Sequence, residues 1–127
     1  MPHRTVLVIE DDPILRDDAI RMLEGAGFDV VGLDNADDAL AYTFERQSEL
    51  AAIFTDVQLP GICDGLHLAE LVSRHWPHIF VLVCSGRVRP IEPLPPNVRF
   101  VQKPWLRGDV LSALRNAVDG TQPSLVH

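Results

Sequence analysis

Cysteine is scarce in this chain: two residues, Cys63 and Cys84, far apart in 127. They have neither CxxC spacing nor the density of a disulfide scaffold, and are read as two reduced thiols. The five histidines do not fall at zinc-ligand spacings; His75 and His78 flank Trp76-Pro77 at the end of a helical pattern and read as surface residues. Long apolar runs are missing too, none approaching the roughly 18 residues that suggest a membrane span. Basic patches are missing: the formal net charge is −7 and the arginines are scattered, which argues against nucleic-acid binding by this chain alone. There is no repeat, linker or low-complexity segment. The N-terminus, Met1-Pro2-His3-Arg4-Thr5, lacks the small-residue cleavage site of a secretory signal, so a cytoplasmic location and no membrane partner are expected.

What is present is an ordinary globular composition, 46% apolar and 23% charged, at a length that suits one domain with a core near residues 5–118 and a frayed tail over 119–127. Apolar runs alternate with helical patterns. The strands are read at Thr5 to Ile9, Asp29 to Leu33, Leu50 to Thr55, Ile79 to Val83 and Val98 to Val101. Between them lie helices from Pro13 to Glu24, from a cap at Asn35 to about Arg46, and from about Leu66 to His75, with a last one from Asp109 to Val118. Asp12 suits the cap before the first helix and Pro13 its first turn, while Gly25 and Gly27 mark its stop. Near-continuous apolar strands separated by helices predict an α/β fold, with a doubly wound parallel five-stranded sheet in the flavodoxin-like order 2-1-3-4-5. One segment departs from the pattern. Arg87 to Asn97 carries four prolines, so the fourth crossover helix is expected to be missing or reduced to a Pro-rich loop.

In such sheets the site lies at the carboxyl ends of the strands. Strand one ends in Glu10-Asp11-Asp12, strand three in Asp56, strand four in Cys84-Ser85-Gly86, and strand five in Gln102-Lys103-Pro104. Carboxylates crowded at one edge repel one another, and a hard divalent cation such as Mg²⁺ resolves that repulsion. A lysine opposite supplies a compact positive charge. The set suits phosphoryl transfer with a carboxylate nucleophile, and Asp56, alone at the end of a central strand, is the best candidate. Each feature alone has a plainer reading. Asp11 and Asp12 are also a helix cap and first-turn acids, Asp56 a loop residue, Lys103 a solvated lysine, and Leu59-Pro60-Gly61 a common turn.

At this point the sequence resembles the response-regulator receiver family, the CheY-like domains of two-component signalling. The marks are Val-Leu-Val-Ile-Glu-Asp-Asp-Pro (6–13), Phe-Thr-Asp-Val-Gln-Leu-Pro-Gly (54–61), Asp64-Gly65, Ser85-Gly86 and Phe-Val-Gln-Lys-Pro (100–104), across about residues 5 to 118. The resemblance implies Mg²⁺-dependent transfer of a phosphoryl group from a sensor histidine kinase or histidine phosphotransfer protein to Asp56. It also implies a chain that catalyses only its own phosphorylation and dephosphorylation, and so is not a multiple-turnover enzyme. By position, Asp12 is the direct carboxylate ligand of Mg²⁺, Asp11 acts through water, and the Gln58 main-chain carbonyl is a further ligand. Lys103 pairs with the phosphoryl oxygens, the Lys103–Pro104 bond is cis, and Phe100 holds the aromatic switch position, although it is also readable as an ordinary strand-five side chain.

Three features depart from the family pattern. Cys84 takes the place where threonine or serine is usual, with Ser85 beside it; a thiol is a weak donor, and strand alternation favours loss of the hydroxyl over its replacement by Ser85. Gly61-Ile62-Cys63 makes the loop before Asp64-Gly65 one residue longer than the commonest form. The missing fourth helix puts the usual dimer surface in doubt, so a monomer or weak dimer is expected, acting on an unknown downstream protein. A receiver acting without an output domain of its own is expected. A pseudo-receiver binding module is the alternative; intact Asp11, Asp12, Asp56 and Lys103 argue against it. A small-molecule phosphatase lacks the residues for a cap, and a flavin protein lacks its phosphate loop.

Overall fold

Every residue of Leu50–Asp56 (β3) is buried, which is why its sequence is apolar almost throughout and why it runs through the centre of the sheet. In the computed structural model, which describes residues 5–61, 63–86 and 93–119, β3 lies between Thr5–Ile9 (β1) and Phe80–Ser85 (β4). Asp29–Leu33 (β2) and Val98–Gln102 (β5) form the two edges, giving the order β2-β1-β3-β4-β5 with every pairing parallel. This is the flavodoxin-like, doubly wound order expected from the alternation of strands and helices.

Alternate strand residues face opposite layers. Leu7, Ile9, Ile53, Val81 and Val83 pack against helices Ala36–Arg46 (α2) and Gly65–His75 (α3). Val6, Val8, Ala52, Phe54 and Leu82 pack against Pro13–Gly25 (α1) and Arg107–Asp119 (α4). Each fully buried Leu or Ile in these layers contributes roughly 1.5–3 kcal/mol of transfer free energy. The helices start where a short acceptor side chain meets free amides. Asp12 caps α1 by accepting from the Ile14 and Leu15 N–H groups, Asn35 caps α2 and Asp64 caps α3. Asp119 belongs to α4 and not to a frayed tail; residues 120–127 lie outside the described residues.

Three strands run further than their apolar residues suggested. Asp56 closes β3, Cys84 and Ser85 close β4, and Gln102 closes β5. Ladder bonds carry on through the strand ends: Glu10 N–H to Leu33 O at 3.1 Å, Val57 N–H to Cys84 O at 2.9 Å, and Lys103 N–H to Ser85 O at 2.9 Å. Polar residues hide a strand end from a pattern based on hydrophobicity, but parallel pairing is made by the backbone. Likewise α4 begins at Arg107, ahead of its first buried apolar residue, Val110. Within the segment between β4 and β5, residues 93–97 form no helix, and Asn97 reaches back to Ile79 O at 2.7 Å. The rest of the expected Pro-rich loop, residues 87–92, lies outside the described residues, as does Ile62 in the loop before α3.

The first turn of α3 sits directly on the end of β3. The Gly65 N–H donates to Val57 O at 2.8 Å. A Cβ at Gly65 would overlap the Asp56 carbonyl oxygen and come within 2.8 Å of Asp56 C and Val57 Cα, so the backbone itself would have to move. At Gly25 an added Cβ meets nothing within 4 Å. Gly65→Ala is therefore expected to lower stability by about 1–3 kcal/mol in urea titration. Gly25→Ala should stay within about 1 kcal/mol of wild type. Equal effects would contradict this account of the α3 contact.

Candidate phosphoacceptor site

The register of the sheet assembles the site. Ile9 pairs with Thr55, so Glu10 stands beside Asp56; Asp56 in turn pairs with Cys84. Neighbours across parallel strands share a face, which sets these side chains in one row. Asp11 follows Glu10 in the turn to α1. Glu10 and Asp56 are each 9% exposed, whereas Asp11 is open to solvent. One carboxylate oxygen from each of Glu10, Asp11 and Asp56 lies within 4.8 Å of the others.

Lys103, just past β5, extends across this row. Its Nζ is 3.0 Å from Asp56 Oδ2 and 3.5 Å from Glu10 Oε1. Burial alone would lower its pKa, but the hydrogen bond and charge of Asp56, aided by Glu10, hold it above the ordinary lysine range. It is a cation at neutral pH. Burial, reinforced by the Asp56 charge and by Asp11, raises the Glu10 carboxyl against the opposing Asp12 N–H and Lys103. With all three acids ionised, three negative charges face one ammonium, leaving two uncompensated. An all-oxygen donor set with that excess fits a hard divalent cation such as Mg²⁺.

The structure places the sequence candidates unequally. Asp11, Asp56 and Lys103 come together. Asp12 does not join them: its Oδ1 accepts from Ile14 N–H at 2.9 Å and Leu15 N–H at 3.3 Å, so its carboxylate caps α1. The expectation that Asp12 is the direct ligand is corrected accordingly, and Glu10 takes its place in the cluster. In the sequence the adjacent Asp11-Asp12 pair masks the part taken by Glu10. The missing signal was register, since the residue after Ile9 must neighbour the residue after Thr55. Gln58 donates its N–H to Asp56 Oδ1 at 3.3 Å, orienting the acceptor carboxylate.

At the end of β4, Cys84 is buried among the residues that face α1 and α4, and burial pushes its thiol up to about 12, so it stays neutral. Ser85 is also buried, one residue further and of opposite strand parity. Phe100 pairs with Val83 and packs on the layer covered by α2 and α3. The Lys103–Pro104 peptide is cis. A cavity of about 620 Å³ opens beside Asp56 and Lys103 between α1 and the start of α4, with Leu15, Ala19, Met22 and Trp105 in its walls. Among the described residues no helix is long and apolar enough to cross a membrane.

Comparison with known proteins agrees with this geometry. The model of the response regulator receiver domain matches residues 6–95. CpdR of Brucella abortus (strain 2308), a response regulator receiver protein, is 25% identical over 115 residues, covering 87% of this chain and 93% of CpdR. The sensor protein TorS of Escherichia coli (strain K12) is 34% identical over 83 residues, or 65% of this chain; that match spans only 9% of TorS. The crystal structure of a response regulator receiver domain protein from Clostridium thermocellum superposes with a TM-score of 0.84 at 21% identity, covering 92% of this chain and 95% of that one. The chain belongs to the response regulator receiver domain family of two-component systems.

The two roles of the neighbouring aspartates separate by substitution. Asp12→Ala is expected to lower stability by about 1 kcal/mol in urea titration, with Asp12→Ser restoring most of it. Calorimetry should find Mg²⁺ uptake nearly unchanged in both variants. A large loss of Mg²⁺ affinity in Asp12→Ser would instead return Asp12 to the ligand set.

Proposed function

We propose that Asp56 accepts a phosphoryl group from a phosphohistidine donor in a Mg²⁺-dependent reaction, and that the chain then signals through protein–protein contacts. The observation that carries this reading is the convergence of Glu10, Asp11 and Asp56 within 4.8 Å beside the Lys103 ammonium. A carboxylate oxygen of Asp56 forms the new P–O bond as the donor's P–N bond breaks. The imidazole leaves with the electron pair of that bond and takes a proton from solvent. When bound, Mg²⁺ offsets the negative charge of the acids and the incoming phosphoryl oxygens. Glu10 and Asp11 would hold it with Asp56 and the Gln58 main-chain carbonyl.

Lys103 supplies a fixed positive charge for the phosphoryl oxygens, and the Gln58 N–H keeps the Asp56 carboxylate turned toward the donor. Cys84 offers only a neutral thiol, a weak donor, so the end of β4 contributes less to phosphoryl binding than Lys103 does. The donor, a sensor histidine kinase or histidine phosphotransfer protein, approaches through the cavity beside Asp56. Ile14 and Leu106, 71% and 70% exposed, adjoin its lining residues Leu15 and Trp105 in sequence and offer apolar contact. In this reading the protein works in the cytoplasm, turns over only its own aspartyl phosphate, and acts as a monomer or weak dimer on a downstream protein.

Incubation with acetyl phosphate and Mg²⁺ is expected to add the mass of one phosphoryl group, and neither Asp56→Asn nor EDTA-treated protein should gain it. Lys103→Gln is expected to slow the gain by about 10²-fold. A gain that survives Asp56→Asn, or none in wild type, would overturn the reading in favour of a binding module without a phosphorylation switch.

A further inference from the structure

Both main-chain groups of Glu10 are held by neighbouring elements. Its N–H donates to Leu33 O of β2 at 3.1 Å, one residue beyond the last strand pair. Its carbonyl accepts from the Arg16 guanidinium, through Nη1, at 2.9 Å. Arg16 lies on the first turn of α1, and its own N–H donates to Asp12 O at 2.9 Å. The turn that carries Glu10 and Asp11 is thus closed by a side chain from the helix it leads into.

The stem of Arg16 runs over β2 where that strand has no side chain. A Cβ at Gly32 would stand 3.5 Å from Arg16 Cδ and 3.6 Å from Arg16 Cγ, and only 2.6 Å from Ile20 Cδ1. Gly32 pairs with Val8, two residues before Glu10. A bulkier residue at Gly32 would push on Ile20 and crowd the stem, displacing the guanidinium from the carbonyl it serves. Arg16 is partly buried along this path.

We infer that Arg16 is a positioning residue: seated over Gly32, it fixes the Glu10 carbonyl so that the carboxylates of Glu10 and Asp11 are presented together toward Asp56. The inference rests on the cation-dependent reading above. Charge and position make opposite predictions for Arg16→Met. Removing a positive charge close to a cation site tightens cation binding if Coulomb's law alone acts. Losing a residue that orients ligands weakens it, by about 10-fold for groups one step removed from a metal.

The test is calorimetric titration of wild type, Arg16→Met and Arg16→Lys with MgCl₂, together with hydrogen exchange of the Asp11 and Asp12 amides in metal-free protein. Wild type should take up one Mg²⁺, Arg16→Met should bind it about 10-fold more weakly, and the two amides should exchange faster in that variant. Arg16→Lys keeps the charge and one donor but not the planar fork, and should fall between the two with a urea midpoint close to wild type. Mg²⁺ affinity in Arg16→Met equal to or tighter than wild type, with unchanged amide exchange, overturns the inference while leaving the cation reading intact. If Arg16→Met does not fold, wild-type affinity in Arg16→Lys overturns it. No uptake by wild type removes the cation reading and this inference together.

Discussion

Two carboxylates, Glu10 and Asp56, are placed side by side by backbone pairing that neither side chain can alter. β1 and β3 are adjacent and parallel, and their register runs out at Ile9 and Thr55, one residue short of the pair. The ladder keeps the two groups neighbours, so when both are ionised their repulsion is compensated where they stand. Lys103, at 3.0 Å from Asp56, supplies part of that compensation. The remaining negative charge suits this edge of the sheet to a hard divalent cation, as the proposed reaction requires. The same local conflict would simply destabilise a domain that had no use for it.

The surroundings keep the arrangement rigid. Ladder bonds continue through Glu10, Val57 and Lys103, so Glu10, Asp56 and Lys103 are tied to the strand ends, with Asp11 in the turn that follows. Beneath it, two apolar layers cover the faces of the sheet, with α1 and α4 on one side and α2 and α3 on the other. Gly65 allows α3 to rest on the Asp56 main chain, and Arg16 closes the turn from β1 to α1. Asp56 is therefore held by the ladder on both sides and by α3, while Asp11 and the cavity next to Asp56 stay open to solvent.

Much of this was legible in the residues. Continuous apolar runs such as Val6 to Ile9 and Ala51 to Phe54 report strands buried on both faces, and Asp12 and Asn35 mark helix starts through their short acceptor side chains. Where the reading fell short, the reason was pairing. A run of three acids does not say which one faces the sheet; that depends on where β1 stops relative to β3, a relation between distant segments. The same applies to Cys84 and Ser85, which looked like residues past a strand and are its last two members. Arg16 carried no sequence signal because its partner is a carbonyl, which any residue has. Gly32 left none either, since a glycine in a strand reads only as a weak position.

Anomalous diffraction from crystals soaked in MnCl₂ would locate the cation directly. The account predicts one strong peak within roughly 2.2 Å of carboxylate oxygens drawn from Glu10, Asp11 and Asp56, at the distance expected for a small hard cation. No peak at that edge of the sheet, or a peak held by Asp12 with α1 uncapped, would contradict it.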